Sequence, residues 1–221
     1  MTDKEFARIF RSEMGWEERI VQDESLPMEY PICLYHFADG SNVTAVCPEI
    51  PEDAVPKTDE LSDVLCELFD MDAVQSSTET VYAFYAPEKI TAEELPPIQD
   101  AEALNTLLAL QNERDRLWGE VTAQDDFTVC IMENGRMMAA AGAVLDGGRI
   151  ADLSLCVHPD RRGCGLGRRA AAALIRKIQQ AGCVPLYRTE EINDASVRLA
   201  RSIGLRIGYT MEGTQLHFPN P

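Results

Sequence analysis

From Phe127 onward the apolar positions change period in an orderly way. Residues 127 to 132 read as a strand, and Glu133-Asn134-Gly135-Arg136 carries the Asn-Gly pair of a tight hairpin, whose two central residues need positive φ. Residues 137 to 145 make a second strand, Asp146-Gly147-Gly148 turns the chain, and 149 to 158 make a third. In that third strand Leu153, Leu155 and Val157 share one parity while Ile150 has the other, which predicts a β-bulge near Ala151-Asp152. From Gly165 to Ala181 the period becomes helical, with Leu166, Ala170, Leu174 and Ile178 on one face and Gly182 as the stop. Residues 184 to 188 are a short strand. Asn193 or Asp194 then caps a helix striped by Ala195, Leu199 and Ile203, and Gly204 ends it. Residues 205 to 218 predict one or two closing strands, broken at Glu212-Gly213. Hairpins followed by strand–helix–strand–helix specify an α/β fold with a mixed sheet.

Upstream the pattern is weaker. Residues 100 to 120 predict one helix, with Leu104, Leu107, Leu108 and Leu110 grouped. Residues 91 to 97 are a linker or a first strand, and 81 to 86 a strand. Before them, 6 to 20 and 60 to 69 suggest helices, and 32 to 37 with 43 to 46 a hairpin around Asp39-Gly40. The expected division is an N-terminal α/β extension over 1–90, or a degenerate copy of the same fold, followed by a domain over 91–221. No usable chemistry is legible in the extension.

Chemistry concentrates in residues 153 to 167, Leu-Ser-Leu-Cys-Val-His-Pro-Asp-Arg-Arg-Gly-Cys-Gly-Leu-Gly. A glycine-rich turn that opens a helix aims several backbone N–H groups, and the positive end of the helix dipole, at one anion. A diphosphate is the natural ligand; the bland alternative is an ordinary glycine turn. A nucleoside triphosphate loop would end in Gly-Lys-Ser/Thr, which is missing. A dinucleotide fingerprint wants G-x-G-x-x-G, whereas Gly163, Gly165 and Gly167 are two apart.

The spacing that fits is R-x-x-G-x-G, as Arg162, Gly165 and Gly167. With Val157-His158-Pro159 before it and an alanine-rich helix after it, this turn resembles the pyrophosphate-binding motif of the GNAT superfamily of N-acetyltransferases. A second segment, Asn193-x-x-Ser196-x-x-x-Ala200-x-x-x-Gly204-Leu205, is similar to that family's N-x-x-[AS]-x-x-x-Y-x-x-x-G-F. The resemblance covers about residues 97 to 218 and implies a GNAT acetyltransferase fold using acetyl-CoA as co-substrate. It implies that Leu155 and Val157 bond the pantetheine amides like an added strand. It assigns the diphosphate to backbone N–H groups of Arg162, Gly163, Cys164, Gly165, Leu166, Gly167 and Arg168, with the Arg162 charge helping. Asn193 would lie near the pantetheine arm, although an N-cap is its own local reading.

The resemblance also implies a direct attack by a primary amine, which must first lose a proton. Asp152 matches the position of a catalytic glutamate in some protein-lysine acetyltransferases of the family, and is the expected general base, acting through a water. A solvent-exposed strand-edge aspartate is the competing reading. Ser154, on the same face by alternation, would orient substrate or water. The family's bulge in this strand frees a backbone N–H near the thioester, and an N–H near Leu155 would hold the oxyanion. Ala200 stands where many members have a tyrosine that protonates the leaving thiolate. Tyr187 and Tyr209 are the nearby hydroxyls, and both also read as packing residues.

Composition narrows the partners. The 221 residues carry 20 basic and 37 acidic side chains, a net charge of −17. That charge repels nucleic acid and anionic membranes and suits a cationic acceptor, such as a small-molecule or peptide amine. Solubility alone would also account for it. No apolar run is long enough to span a membrane, and Met1-Thr2-Asp3-Lys4-Glu5 does not read as a signal peptide. The seven scattered cysteines read as core residues of a cytoplasmic protein, with Cys164 an incidental turn residue. The three histidines lack ligand spacing, so no metal is expected. The expected function is therefore an N-acetyltransferase. The rivals are an acyl-CoA-binding or sensing module and a partner-binding protein on the same fold. Acceptor choice is expected from loops at 117–125 and from the C-terminal strands.

Overall fold

The computed structural model describes residues 1–58, 60–69, 75–145 and 148–217. The elements run α1 (Asp3–Glu13), β1 (Ile20–Gln22), β2 (Ile32–Phe37), β3 (Asn42–Val46), α2 (Leu61–Leu68), β4 (Gln75–Tyr85), α3 (Ala101–Ala109), α4 (Glu113–Trp118), β5 (Phe127–Glu133), β6 (Arg136–Leu145), β7 (Ile150–Val157), α5 (Leu166–Gln180), β8 (Val184–Glu190), α6 (Asp194–Ser202) and β9 (Arg206–His217). Two compact units interleave along this order. One holds Phe84–Thr189 and Asn193–Arg206 with Met1; the other holds Thr2–Ala83, Glu190–Ile192 and Ile207–Pro221. A single cut near residue 90 does not describe this division, because β9 returns to pair antiparallel with β2, Cys33 opposite Gly213 and Phe37 opposite Tyr209.

In the N-terminal unit the strands run β1-β3-β2-β9-β4. Helix α1 starts at a capping box in which Thr2 and Glu5 satisfy each other's backbone N–H groups. It buries Phe6 and Phe10 among Trp16, Tyr35, Phe37 and Tyr209, with Phe10 and Tyr209 centroids 4.8 Å apart and Trp16 and Tyr35 4.7 Å apart. Such ring pairs hold by shape and by edge-to-face electrostatics. Helix α2 places Leu61, Val64 and Leu65 on Ile32, Leu34, Val46 and Leu216. The closing segment is one strand that passes through Glu212-Gly213, not two broken there, because β2 pairs with it across that point.

In the other unit the strands run β8-β7-β6-β5. Asn134 (φ 49°) and Gly135 (φ 76°) make the expected hairpin between β5 and β6. The predicted bulge at Ala151-Asp152 is not there: β6 and β7 keep one register from Ala139 opposite Val157 to Leu145 opposite Ala151. The irregularity lies instead between Ile131 and Met132, where β5 meets β6. The change of parity in β7 reflects burial on both faces. Cys130, Ala140 and Cys156 form one cross-strand row beneath Leu104 and Leu107 of α3. Helix α5 lies over β5, β6 and β7, and its Leu166, Ala170, Leu174 and Ile178 are buried as the spacing predicts. Alanines at 139, 140, 141 and 143 keep the middle of β6 thin enough for helices on both sides.

Residues 100 to 120 form two helices, not one. Asp100 caps α3, and Asn112 caps α4 by accepting from the Asp115 N–H at 2.8 Å. The break falls at Leu110–Asn112 because Asn112 offers a better start than a continuation. The buried stripe of α6 is Val197, Ala200 and Ile203; Ala195 is exposed. Residues 87 to 98 form no regular strand, since Pro96 and Pro97 lack the N–H a ladder needs. They are strapped on by Arg169 to Glu93 (2.7 Å), Arg176 to the Ala92 carbonyl (3.2 Å), and the Gln179 amide to Glu88 and Ile90. No described helix is long and apolar enough to cross a membrane.

Gly208 lies flat against the Phe6 ring, where an added Cβ would overlap the ring carbons. Gly208→Ala should cost about 1–3 kcal/mol in chemical denaturation, the usual overpacking range. Unchanged stability would show that the aromatic cluster is loosely packed.

Candidate active site

Strands β7 and β8 start parallel and then part. Their ladder covers Ile150 with Val184, Ala151 with Pro185, and Asp152 with Leu186, and goes no further. Strand β7 continues for five residues to Val157, so the β8-facing edge of 153–157 is outside that ladder. Leu155 and Val157 are half-buried there, and Gly167 at the start of α5 packs onto them. The Val157 carbonyl accepts from the Gln111 amide at 3.4 Å; an edge whose other N–H and C=O groups lie outside a ladder can accept an extended ligand as an extra strand.

The turn after β7 is built by its own residues. His158 accepts the Asp160 N–H through Nδ1 at 3.2 Å, and Pro159 opens a short 3-10 turn over Pro159–Arg161. Gly163 (φ 74°) and Gly165 (φ 80°) are left-handed, with nothing within 4 Å of an added Cβ. Their role is conformational. Gly167 differs: a Cβ there would meet Leu199, Val157 and Leu155 side chains at 3.1–3.4 Å, so this glycine is a packing requirement.

Helix α5 has no side-chain cap at Gly165, as α2 has none at Glu60, whereas Thr2, Asp100, Asn112 and Asn193 cap α1, α3, α4 and α6. The first intrahelical bond is Arg169 N–H to Gly165 at 3.1 Å. Helix geometry therefore leaves the N–H groups of Leu166, Gly167 and Arg168 without helical partners, beside an exposed turn of Arg162, Gly163, Cys164 and Gly165. The arrangement suits an anion of several oxygens. Two N–H groups of the turn are already used, Arg162 donating to Pro159 at 3.3 Å and Cys164 to Arg161 at 3.4 Å. The Arg162 guanidinium faces away from that role too, giving Nη2 to Gln111 Oε1 at 2.6 Å and Asp115 Oδ2 at 2.8 Å.

Asp152 sits at the fork, in the last ladder pair, and its Oδ2 accepts from Arg188 on β8, with Nε at 2.9 Å and Nη2 also engaged. This ion pair, absent from the sequence reading, ties the two strands just where they part. Ser154 lies opposite Gly142, over which the Asp125 carboxylate is laid; a Cβ at 142 would collide with it. Thr122 holds that carboxylate through its N–H (3.2 Å) and hydroxyl (2.5 Å). Asn193 caps α6 through Oδ1, accepting from Ser196 at 3.2 Å, which leaves its NH2 outside the cap. Ala200 is fully buried. Tyr187 is buried too; desolvation raises its phenol above the ordinary range, and a hydrogen bond with Ser196 partly offsets this. Tyr209, the other hydroxyl considered, is in the aromatic cluster of the N-terminal unit.

Gln111, Asp115 and Asp125 were not legible as site residues. The one local signal was Asn112-x-x-Asp115, a helix-start spacing. Cys156, in the strand that would line the ligand, faces α3, and burial pushes its thiol to about 11. A thiol so protonated is a poor nucleophile at neutral pH.

Comparison with known proteins adds three findings. The model of the Acetyltransferase (GNAT) family matches residues 88–205, just over half of the chain. Solved structures with similar folds include a GNAT-family protein from Novosphingobium aromaticivorans DSM 12444 (19% identity, TM-score 0.52, 67% of this chain and 69% of that one). Others are a GNAT-family acetyltransferase from Colwellia psychrerythraea (16%, 0.52, 66% and 59%) and a GCN5-related N-acetyltransferase from Sphaerobacter thermophilus (14%, 0.52, 88% and 63%). The chain thus spans less than two thirds of the latter two proteins, and at these identities the likeness is one of fold. No curated protein matches the chain.

Burial separates the thiols: Cys33 is pushed up to about 12 and Cys156 to about 11, while Cys66 and Cys164 are exposed. In native labelling at pH 8, Cys33 and Cys156 should react at least about 100-fold more slowly than the exposed pair. Both raised thiols stabilise the fold below the ordinary cysteine value of 9.0, and that stability is lost as pH rises through about 11 to 12. Labelling at one common rate would contradict this placement.

Proposed function

The chain belongs to the Acetyltransferase (GNAT) family, and we propose on that footing that it transfers an acetyl group from acetyl-CoA to a primary amine by direct attack. The observation that carries the reading is the parting of β7 from β8 beside an uncapped helix start. The free edge at 153–157 fits an extended arm with two amides. The N–H groups of Gly163 and of Gly165 to Arg168 would take a diphosphate at one end of that arm, the Cys164 N–H being spent on the Arg161 carbonyl, and the Asn193 NH2 would reach the arm itself. Acetyl-CoA has both parts, and when bound it supplies an electrophilic thioester carbonyl.

The chain's own residues then supply position and proton transfer. Asp152 is the proposed base: its Oδ2 is spent on Arg188, so Oδ1 would take the amine proton through a water. Backbone groups near Leu155 would face the developing oxyanion. The amine nitrogen bonds to the acetyl carbon, the C–S bond breaks, and coenzyme A leaves as thiolate. Ala200 cannot protonate it, so solvent would. The acidic balance of the chain, −17, favours a cationic acceptor.

The buried Ala200 favours a second reading, an acyl-CoA sensor that binds without turnover. Release of free thiol from acetyl-CoA in the presence of polyamines, aminoglycosides and lysine peptides separates the two. The enzyme reading expects release with at least one amine class. Asp152→Asn should lower kcat by about 100-fold, the lower range of general-base effects, with acetyl-CoA still bound. Gly165→Glu, which puts a carboxylate at the anion site, should abolish cofactor binding. Binding with no turnover across the panel would favour the sensor, and full kcat in Asp152→Asn would remove it as the base.

A further inference from the structure

Arg162 has the strongest sequence claim to contact the diphosphate, yet its side chain is committed elsewhere. Its Nη2 donates to Gln111 Oε1 at 2.6 Å and to Asp115 Oδ2 at 2.8 Å. Gln111 is buried, 8% exposed, and every polar atom of its amide is used. Its Nε2 donates to the Leu107 carbonyl at 3.0 Å and the Val157 carbonyl at 3.4 Å, while its oxygen takes Arg162. Asp115 is braced in turn by Asn112, whose Nδ2 donates to the same oxygen at 2.8 Å. The charges of Arg162 and Asp115 are also felt at Cys156 beneath them. A second clamp lies one turn on. Gly119, at the end of α4, approaches the Leu155 carbonyl so closely that an added Cβ would be 2.7 Å from it.

We propose that Arg162 is a positioning residue: it latches the α3–α4 elbow onto the end of β7 and leaves the diphosphate to the backbone of the turn. The elbow covers the strand on the side that carries Ser154 and the Asp125 carboxylate, while the turn lies at its end. One guanidinium therefore joins the cofactor's side to the acceptor's side. Any ligand that orders the turn also tightens the elbow, and linkage makes the effect reciprocal. The cofactor half of this statement rests on the function proposed above; the latch itself does not.

Hydrogen exchange of amides 107–118 tests it, in the full chain, without ligand and with coenzyme A. Arg162→Ala and Asp115→Ala should each speed exchange there by about 10-fold or more, with amides of α5 unchanged as the folding control. The double variant should be worse than either single one by less than the sum of their effects, because the two residues share one contact. Arg162→Lys, whose shorter-reaching ammonium keeps the charge but not the planar Nη2 geometry shared by the two acceptors, should restore part of the protection. Coenzyme A affinity should change less than about threefold in Arg162→Ala, and coenzyme A should add protection to 107–118 in the wild type only. Unchanged elbow exchange in Arg162→Ala would overturn the latch. So would a tenfold or greater loss of coenzyme A affinity in Arg162→Ala with Asp115→Ala unaffected, which would make Arg162 a phosphate ligand. If wild type bound no coenzyme A, the proposed function would fall, and the ligand-free exchange would still decide the latch.

Discussion

The parting of two parallel strands governs this site. A parallel ladder normally consumes the edge groups of both strands, but here β7 and β8 share only three pairs before they separate. What separates them is packing: α5 sits over β5, β6 and β7, Gly167 brings its first turn down on Leu155 and Val157, and the Arg188–Asp152 ion pair closes the fork behind. The edge that results is polar, half-buried and directed at an uncapped helix start. Neither feature alone would specify a ligand. Together they suit the extended, anion-ended ligand proposed above.

The approach of the layers depends on small residues at a few points. Gly119 meets the Leu155 carbonyl, Gly142 makes room for the Asp125 carboxylate, and the alanines of β6 let helices close on both faces. These are interior contacts between segments distant in sequence. They set where the elbow and the Asp125 carboxylate stand relative to β7.

The turn was legible because its constraints are local. Positive φ at Gly163 and Gly165, and the helical period that follows, are written in adjacent residues. The same locality explains the misplaced bulge. Alternation in β7 was read as one face buried, whereas α3 and α5 bury both, and the actual irregularity lies at Ile131/Met132 in a strand whose pattern looked regular. Arg188 and Gln111 could not be found from the sequence, since their partners lie 36 and 51 residues away. The role first given to Arg162 shows the same limit: a motif fixed its place in the turn, and only the fold shows where its side chain goes.

The central claim is that the free edge of β7 and the start of α5 form one ligand cleft. The most direct measurement is a backbone amide NMR titration of the wild-type protein with coenzyme A. The account predicts saturable shifts confined mainly to residues 153–157 and 163–168, with the amides of the N-terminal unit unmoved. Saturable shifts centred elsewhere, or none in those two segments at millimolar ligand (~1 mM, where binding would be worth only about 4 kcal/mol), would contradict it.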